Sequence, residues 1–370
     1  MNVLILSMTV GQGHNSASYA IQETLEEKGH TCHILDTYKF LNRAVGEAFD
    51  KGYTMLGRVF PKVNANIYKD AERFNGRSNM KLYFPWLFAD FNKTKMQQYI
   101  LEQQPDVIVC TIVMTAMLVK LLRDSNMIDE KIKTYGIVTD YSLHPFWEYT
   151  DMDYFVCPNE LMTCEMVERG IDEQRILPTG IPIRKRFSYS IEETMARERL
   201  SLENDLFTIL VSAGGMGFSG IPETLAALDK MRGLQMVAVC GTNKRLFAKL
   251  NAMKFNNRVH VLGYVNNMDE YLDACDVIVT KPGGLSTSEA MAKEKPIVLL
   301  PPMPGVENMN QAFLVNHSLA VHTSGYAPIH QVIGQLQINE DKLQEMKRAH
   351  KKWGKKHSSK TLCELMEGQM

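Results

Sequence analysis

The stretch Val277-Ile-Val-Thr-Lys-Pro-Gly-Gly-Leu-Ser-Thr-Ser-Glu-Ala-Met-Ala292 limits what this chain can fold into more than any other part of it. Val277 to Val279 is a short apolar run of the kind buried inside a parallel sheet. Lys281-Pro-Gly-Gly284 cannot continue a strand. Ser286, Thr287 and Ser288 then offer hydroxyls for a helix N-cap, and helical spacing resumes at Glu289. A strand, a glycine turn and a helix start make an anion cradle, because backbone N–H groups and the positive end of the helix dipole face the turn. Gly283 and Gly284 let a phosphate come close, since no Cβ stands in the way. Taken alone, the stretch is equally an ordinary βα turn with a glycine-rich corner, because short glycine motifs recur by chance.

The same signature occurs twice more. Val3 to Leu6 is an apolar strand that leads to Gly11 and Gly13, with Ser16 near a cap and a helix from about Ala17 to Lys28. Phe207 to Val211 leads to Ser212-Ala-Gly-Gly-Met-Gly217 and a helix from Ile221 to Met231. Further strands are expected at 32–36, 106–111, 134–140 and 153–157 in the first half, and at 234–239, 259–263 and 296–301 in the second. Strands alternating with helices define an α/β fold with parallel sheets. The 370 residues exceed one compact core and suit two domains. The expected architecture is two Rossmann-like, doubly wound domains, 1–185 and 205–340, facing one interdomain cleft, followed by a basic helix over 341–370 that packs back toward the first domain.

Composition sets the broad class. Hydrophobic residues make up 45% and charged residues 22%, as in a soluble globular protein, and a net charge of −1 gives no reason to expect a nucleic-acid partner. Seven cysteines without a C-x-x-C pair suggest a reducing compartment. The opening Met1 to Ser7 lacks a basic n-region and reads as a first strand. No apolar run approaches the ~20 residues that span a bilayer, so membrane contact is expected to be peripheral.

Several side chains stand at the carboxyl ends of strands, where doubly wound sheets bind ligands. His14 follows the first glycine turn and is expected at its tip, beside Asn15. Asp140, His144 and Trp147 follow the strand at 134–140, and an Asp beside a His can orient it or share its proton. Glu307 and Asn310 are expected in a loop over 302–310, ahead of a helix from Gln311 to Ser318. Each also has a structural reading: a cap or surface histidine, an Asx turn, packed aromatics. From Leu41 to Lys95, aromatic residues including Phe60 and Trp86 interleave with lysines and arginines. That mixture suits an interfacial surface on anionic lipid, or amphipathic helices that cover the first domain. The tail from Glu340 to Glu367, basic between Lys342 and Lys360, reads as a solvated helix face or a second membrane contact.

Gly11-Gln-Gly-His14, Thr139-Asp-Tyr-Ser-Leu-His144 with Trp147, Thr179-Gly-Ile-Pro-Ile183, Cys240-Gly241, Leu262-Gly-Tyr-Val265, Thr280-Lys-Pro-Gly-Gly284 and Pro304-Gly-Val-Glu307 occur in that order. As a set they resemble the processive diacylglycerol glucosyltransferases of Gram-positive bacteria and the plant monogalactosyldiacylglycerol synthases, from about Val3 to Arg348. The wider group includes the peptidoglycan lipid-intermediate N-acetylglucosaminyltransferase. The resemblance implies a GT-B fold, with acceptor bound by the first domain and UDP-sugar by the second. It implies inverting hexose transfer to a lipid hydroxyl, with diacylglycerol the expected acceptor, on the inner face of the cell membrane. No cofactor or metal is implied, the leaving diphosphate being held by helix N-termini and hydroxyls rather than by a metal on a D-x-D motif.

Residue by residue, the resemblance assigns Gly283, Gly284, Leu285 and Ser286 to the diphosphate loop, with Ser212, Gly214, Gly215 and Met216 completing it. Glu307 matches the carboxylate on the ribose, and Tyr264 and Val265 match the segment that reads uracil. Gly13, Gly241, Lys281 and Asn310 are placed with the donor, and His144, Trp147, Phe60 and Trp86 with the acceptor and membrane. His14 matches the histidine proposed to activate the acceptor hydroxyl, and Asp140 is the other candidate base. At Val306 the family often has a glutamine that contacts the donor sugar, so glucose, galactose and N-acetylglucosamine all stay open. A soluble acceptor, a UDP-sugar epimerase of the same architecture and a catalytically silent sensor are the competing readings.

Overall fold

A computed structural model describes residues 1–8, 12–41, 89–212, 214 and 220–369. The chain forms two compact units. The first comprises Met1–Lys185, Met303–Val306 and His357–Met370; the second comprises Arg186–Pro302 and Glu307–Lys356.

In the first unit, β1 (Asn2–Ser7), α1 (Gln12–Glu27), β2 (Thr31–Asp36), α2 (Thr37–Leu41), α3 (Asp90–Gln103), β3 (Val107–Cys110), α4 (Val113–Asp124), β4 (Lys133–Ile137), β5 (Tyr154–Val156), α5 (Glu160–Glu168) and β6 (Ile176–Leu177) follow in order. The strands form one parallel sheet in the order β2-β1-β3-β4-β5-β6. The order reverses between β1 and β3, where Leu6 pairs with Cys110. Val3 to Leu6 and Val107 to Cys110 are at most 1% exposed, which is why they read as continuous apolar runs rather than alternating ones.

In the second unit, α6 (Glu193–Arg199), β7 (Phe207–Ser212), α7 (Ile221–Leu228), β8 (Leu234–Val239), α8 (Lys244–Ala252), β9 (Arg258–Leu262), α9 (Met268–Ala274), β10 (Val277–Thr280), α10 (Gly284–Ala292), β11 (Ile297–Leu299), α11 (Val306–Asn316), β12 (Val321–His322), α12 (Ile329–Ile338) and α13 (Glu340–Trp353) follow. Their parallel sheet runs β12-β11-β10-β7-β8-β9. Here the order reverses between β7 and β10, where Val211 pairs with Val279. Two doubly wound sheets were expected, and two are present.

The expected basic helix over 341–370 is two helices. α13 ends at Trp353, and α14 (Ser358–Gly368) belongs to the first unit. The chain turns extended at Gly354, where only a glycine fits: a Cβ there would stand 2.5 Å from the carbonyl oxygen of His350 and 3.2 Å from that of Met291. α14 supplies Leu362, Cys363 and Met366 to the core that contains Val3, Ile5, Ile21, Leu25, Val107 and Val109. Ser359 donates to the carbonyl of Ile183 at 2.7 Å, and Tyr135 Oη donates to Gln369 Oε1 at 2.7 Å.

Three helix starts also differ from expectation. α1 begins at Gln12, so Gly13 and His14 lie in its first turn and not at a turn tip. The glycine costs that turn about 1 kcal/mol of propensity, which burial of Ala17, Ala20, Ile21 and Leu25 outweighs. α10 begins at Gly284 with Gly283 as its N-cap residue, and no side chain caps it. Thr287 lies inside the helix and donates its hydroxyl back to the Gly283 carbonyl at 2.7 Å, so it is not the expected cap. Glu307 and Asn310 lie on α11 and not in a loop.

Candidate active site

The two places where strand order reverses are the places where a doubly wound sheet opens a crevice at its carboxyl edge. In the first unit that crevice holds His14. Its Nδ1 is 2.7 Å from the carbonyl oxygen of Thr111, which follows β3, and 3.1 Å from Thr139 Oγ1, which follows β4. A carbonyl only accepts, so Nδ1 carries the proton and Nε2 keeps the lone pair when the ring is neutral. Ser18 donates to the His14 carbonyl at 2.9 Å, and Ser7 donates to Asn15 Oδ1 at 2.8 Å, tying the start of α1 to the end of β1. Burial lowers the His14 pKa below its ordinary value, against the smaller opposing pulls of the Asp140 carboxylate and the Thr111 carbonyl. The result is a neutral imidazole with one defined basic nitrogen.

His144 and Trp147 lie deeper. His144 accepts from the Phe146 N–H at 3.2 Å as the N-cap of a short 3₁₀ turn over Pro145–Tyr149, and burial pushes its pKa down to about 4. Trp147 is 4% exposed, packs edge-on to Phe155 at 6.3 Å between ring centroids, and rests on Gly136. A Cβ at Gly136 would meet the indole at 2.7 Å. Trp147, expected with the acceptor, contributes its apolar bulk to the core of the first unit.

In the second unit several residues expected at the donor lie along the carboxyl edge that includes the β7/β10 reversal, whereas Gly13 lies on α1 in the first unit. Gly214 has φ of +79°, and Lys281 Cε lies 3.9 Å from where its Cβ would be. Lys281 Nζ pairs with Glu307 Oε1 at 2.9 Å. Asn310, fully buried, donates from Nδ2 to the Pro282 carbonyl at 3.0 Å. The first-turn N–H groups of α10, on Gly284, Leu285 and Ser286, have no side-chain cap, and nothing lies within 4 Å of the Cβ position of Gly283. Ser212 ends β7, Gly241 follows β8 with φ of +57°, and Tyr264 and Val265 follow β9, so all of these share the carboxyl edge of one parallel sheet. Tyr264 is 63% exposed. Gly215, Met216, Phe60 and Trp86 lie outside the described residues.

Three features escaped the sequence reading. Thr111 and Thr139, which set the His14 tautomer, act across 97 and 125 residues, beyond any local pattern. Lys293, at the carboxyl end of α10, is 1% exposed in its side chain and pairs with equally buried Asp273 at 2.6 Å, while also bonding the Tyr189 carbonyl, so it anchors the far end of the cradle helix. The third is a D-x-D triplet, Asp151-Met-Asp153, that sequence analysis overlooked. It lies just before β5, at the amino edge of the sheet and away from His14. Asp151 pairs with Arg175 at 2.9 Å and Asp153 with Arg123 at 2.8 Å, so two arginines already engage these carboxylates. Arg123 and Thr134 outweigh burial and lower the Asp153 pKa.

Residues 14–183 match the family model of monogalactosyldiacylglycerol (MGDG) synthase, and residues 208–362 match the glycosyltransferase family 28 C-terminal domain. The chain thus joins a segment matching the MGDG synthase model to one matching the glycosyltransferase family 28 C-terminal model, on a GT-B fold. It is similar to the processive diacylglycerol beta-glucosyltransferase of Bacillus licheniformis, with 26% identity over 365 residues, 98% of this chain and 93% of that one. Among solved structures, MurG of Acinetobacter baumannii superposes with a TM-score of 0.62 at 12% identity, covering 99% of both chains. The S. aureus MnaA–UDP co-structure does so with a TM-score of 0.62 at 14% identity, covering 98% of this chain and 95% of that one. At these identities the structural likeness concerns the fold.

Proposed function

We propose that the protein transfers a hexose from a UDP-sugar to the hydroxyl of a lipid, diacylglycerol in the first instance, by a single inverting displacement. The observation that carries this reading is the donor edge of the second unit. There an uncapped helix N-terminus, a lysine and a first-turn carboxylate converge at the β7/β10 reversal. Amides at a helix start suit a diphosphate, and a carboxylate suits the paired hydroxyls of a ribose. His14 Nε2 takes the proton of the acceptor hydroxyl as its oxygen bonds to the anomeric carbon. The bond from that carbon to the diphosphate oxygen breaks with its electron pair, and UDP leaves stabilised by the α10 amides. No covalent sugar–enzyme intermediate is required, and no metal is assigned to the step.

Diacylglycerol is favoured because the relative named above acts on it. Peripheral contact with the anionic inner face of the cell membrane fits the basic run Lys347, Arg348, Lys351 and Lys352 on α13. Among the described residues no helix is long and apolar enough to cross a membrane. The decisive experiment incubates the protein with diacylglycerol vesicles and a panel of UDP-sugars, UDP-glucose first and UDP-galactose second, with and without EDTA, and weighs the lipids. A mass gain of one hexose supports the reading. Sugar released or epimerised without acceptor supports an epimerase, and no product with any donor rejects catalysis.

A further inference from the structure

Lys281 and Glu307 reach the donor edge from different strand connections and meet at 2.9 Å, with side chains 26% and 14% exposed. The contact is held from both sides. The lysine stem passes 3.9 Å from the Cβ position of Gly214, where there is no side chain to push it away. One residue beyond Lys281, the Pro282 carbonyl accepts from Asn310, which stands three residues beyond Glu307 on α11. The end of β10 and the first turn of α11 are therefore tied twice, once by charge and once by a buried amide. A carboxylate offers about four acceptor positions, so an ammonium on Oε1 does not by itself exhaust them.

On the reading that the donor is a nucleoside diphosphate sugar, we propose that Lys281 is a positioning residue for Glu307. It serves recognition of the ribose through that carboxylate rather than by gripping the diphosphate. The ammonium also cancels the charge that the carboxylate would otherwise present to an incoming diphosphate. The amides at the start of α10 are then the main diphosphate contact. Lysine beside a glycine turn would ordinarily be assigned to phosphate, and the geometry points to the sugar end of the nucleotide.

Uridine, which carries no phosphate, separates the two assignments. Binding of uridine and of UDP to the full chain is measured by calorimetry or ligand-observed NMR for the wild type, Lys281→Met, Lys281→Arg, Glu307→Gln and the Lys281→Met/Glu307→Gln double variant. Lys281→Met is expected to weaken uridine about tenfold and UDP at least as much. Adding it to Glu307→Gln is expected to weaken uridine less than about twofold further, because coupled residues do not add. Lys281→Arg, which keeps the charge, is expected to recover most of the loss. Uridine affinity unchanged in Lys281→Met while UDP weakens would overturn the proposal and place the lysine on the diphosphate; so would strictly additive losses. A folded wild type that binds neither ligand overturns the nucleotide-donor reading itself, a different failure. Should Lys281→Met fold poorly, Lys281→Gln serves the same comparison.

Discussion

His14 Nδ1 and the carbonyl oxygen of Thr111 lie 2.7 Å apart, joining the first turn of one helix to the end of a strand 97 residues away. That contact decides which imidazole nitrogen is basic. His14→Ala is expected to lower turnover by about 10²- to 10⁴-fold, the usual contribution of a general base. UDP affinity should stay within about twofold, since His14 and the donor cluster belong to different units. Turnover and calorimetry on the same preparation check this; near-normal turnover removes the assignment.

The pH profile follows from the same ring. Burial lowers the His14 pKa and the Asp140 carboxylate raises it. The acid limb of kcat/KM, which reports the free enzyme, should therefore fall below the ordinary histidine value of about 6.5. Asp140→Asn removes the raising influence and should move the limb to still lower pH. A limb that moves upward would show that Asp140 acts otherwise than by charge.

Gly214→Ala tests the cradle. A side chain at φ of +79° costs about 1–2 kcal/mol, and the new methyl would also lie 3.9 Å from the Lys281 stem. Chemical denaturation should show a loss of that size, with a rise in donor KM. Unchanged stability would mean that the loop adopts another conformation.

Stability should depend on acid through His144 and His350, whose pKa values are both pushed by burial down to about 4. His350 donates from Nε2 to the Leu319 carbonyl at 2.7 Å and is 1% exposed. Because the folded values lie below the unfolded value near 6.5, the stabilisation is complete above about pH 6.5. It is lost as pH falls from there toward 4, because the unfolded chain takes up the protons more readily. Urea midpoints measured between pH 7.5 and 4 should decline over this window, and His350→Gln should flatten part of the decline.

The strands were legible because both sheets are parallel and covered, so that Val3 to Leu6 or Val277 to Val279 are apolar without alternation. Glycine turns marked the donor edge, since Gly214 needs a positive φ. What escaped depends on strand order. Nothing near His14 reveals that β3 lies beside β1, and so Thr111 could not be assigned. Pro302-Met-Pro-Gly305 reads as loop and hid a helix that begins immediately afterwards at Val306. The tail read as one helix because its only local break signal is Gly354, which turns extended beside the His350 and Met291 carbonyls in a space too tight for a side chain, a constraint no local pattern encodes.

α14 carries a consequence for biosynthesis. Leu362, Cys363 and Met366 complete a core whose other members begin at Val3, and Glu367 pairs with Lys28 at 2.5 Å. Residues 1–185 thus wait for residues 358–368 to emerge before their shared hydrophobic interior is sealed. The six strands of the second unit, β7 to β12, all lie between Arg186 and Lys356 and emerge before α14, so nascent-chain folding should proceed from the middle outward.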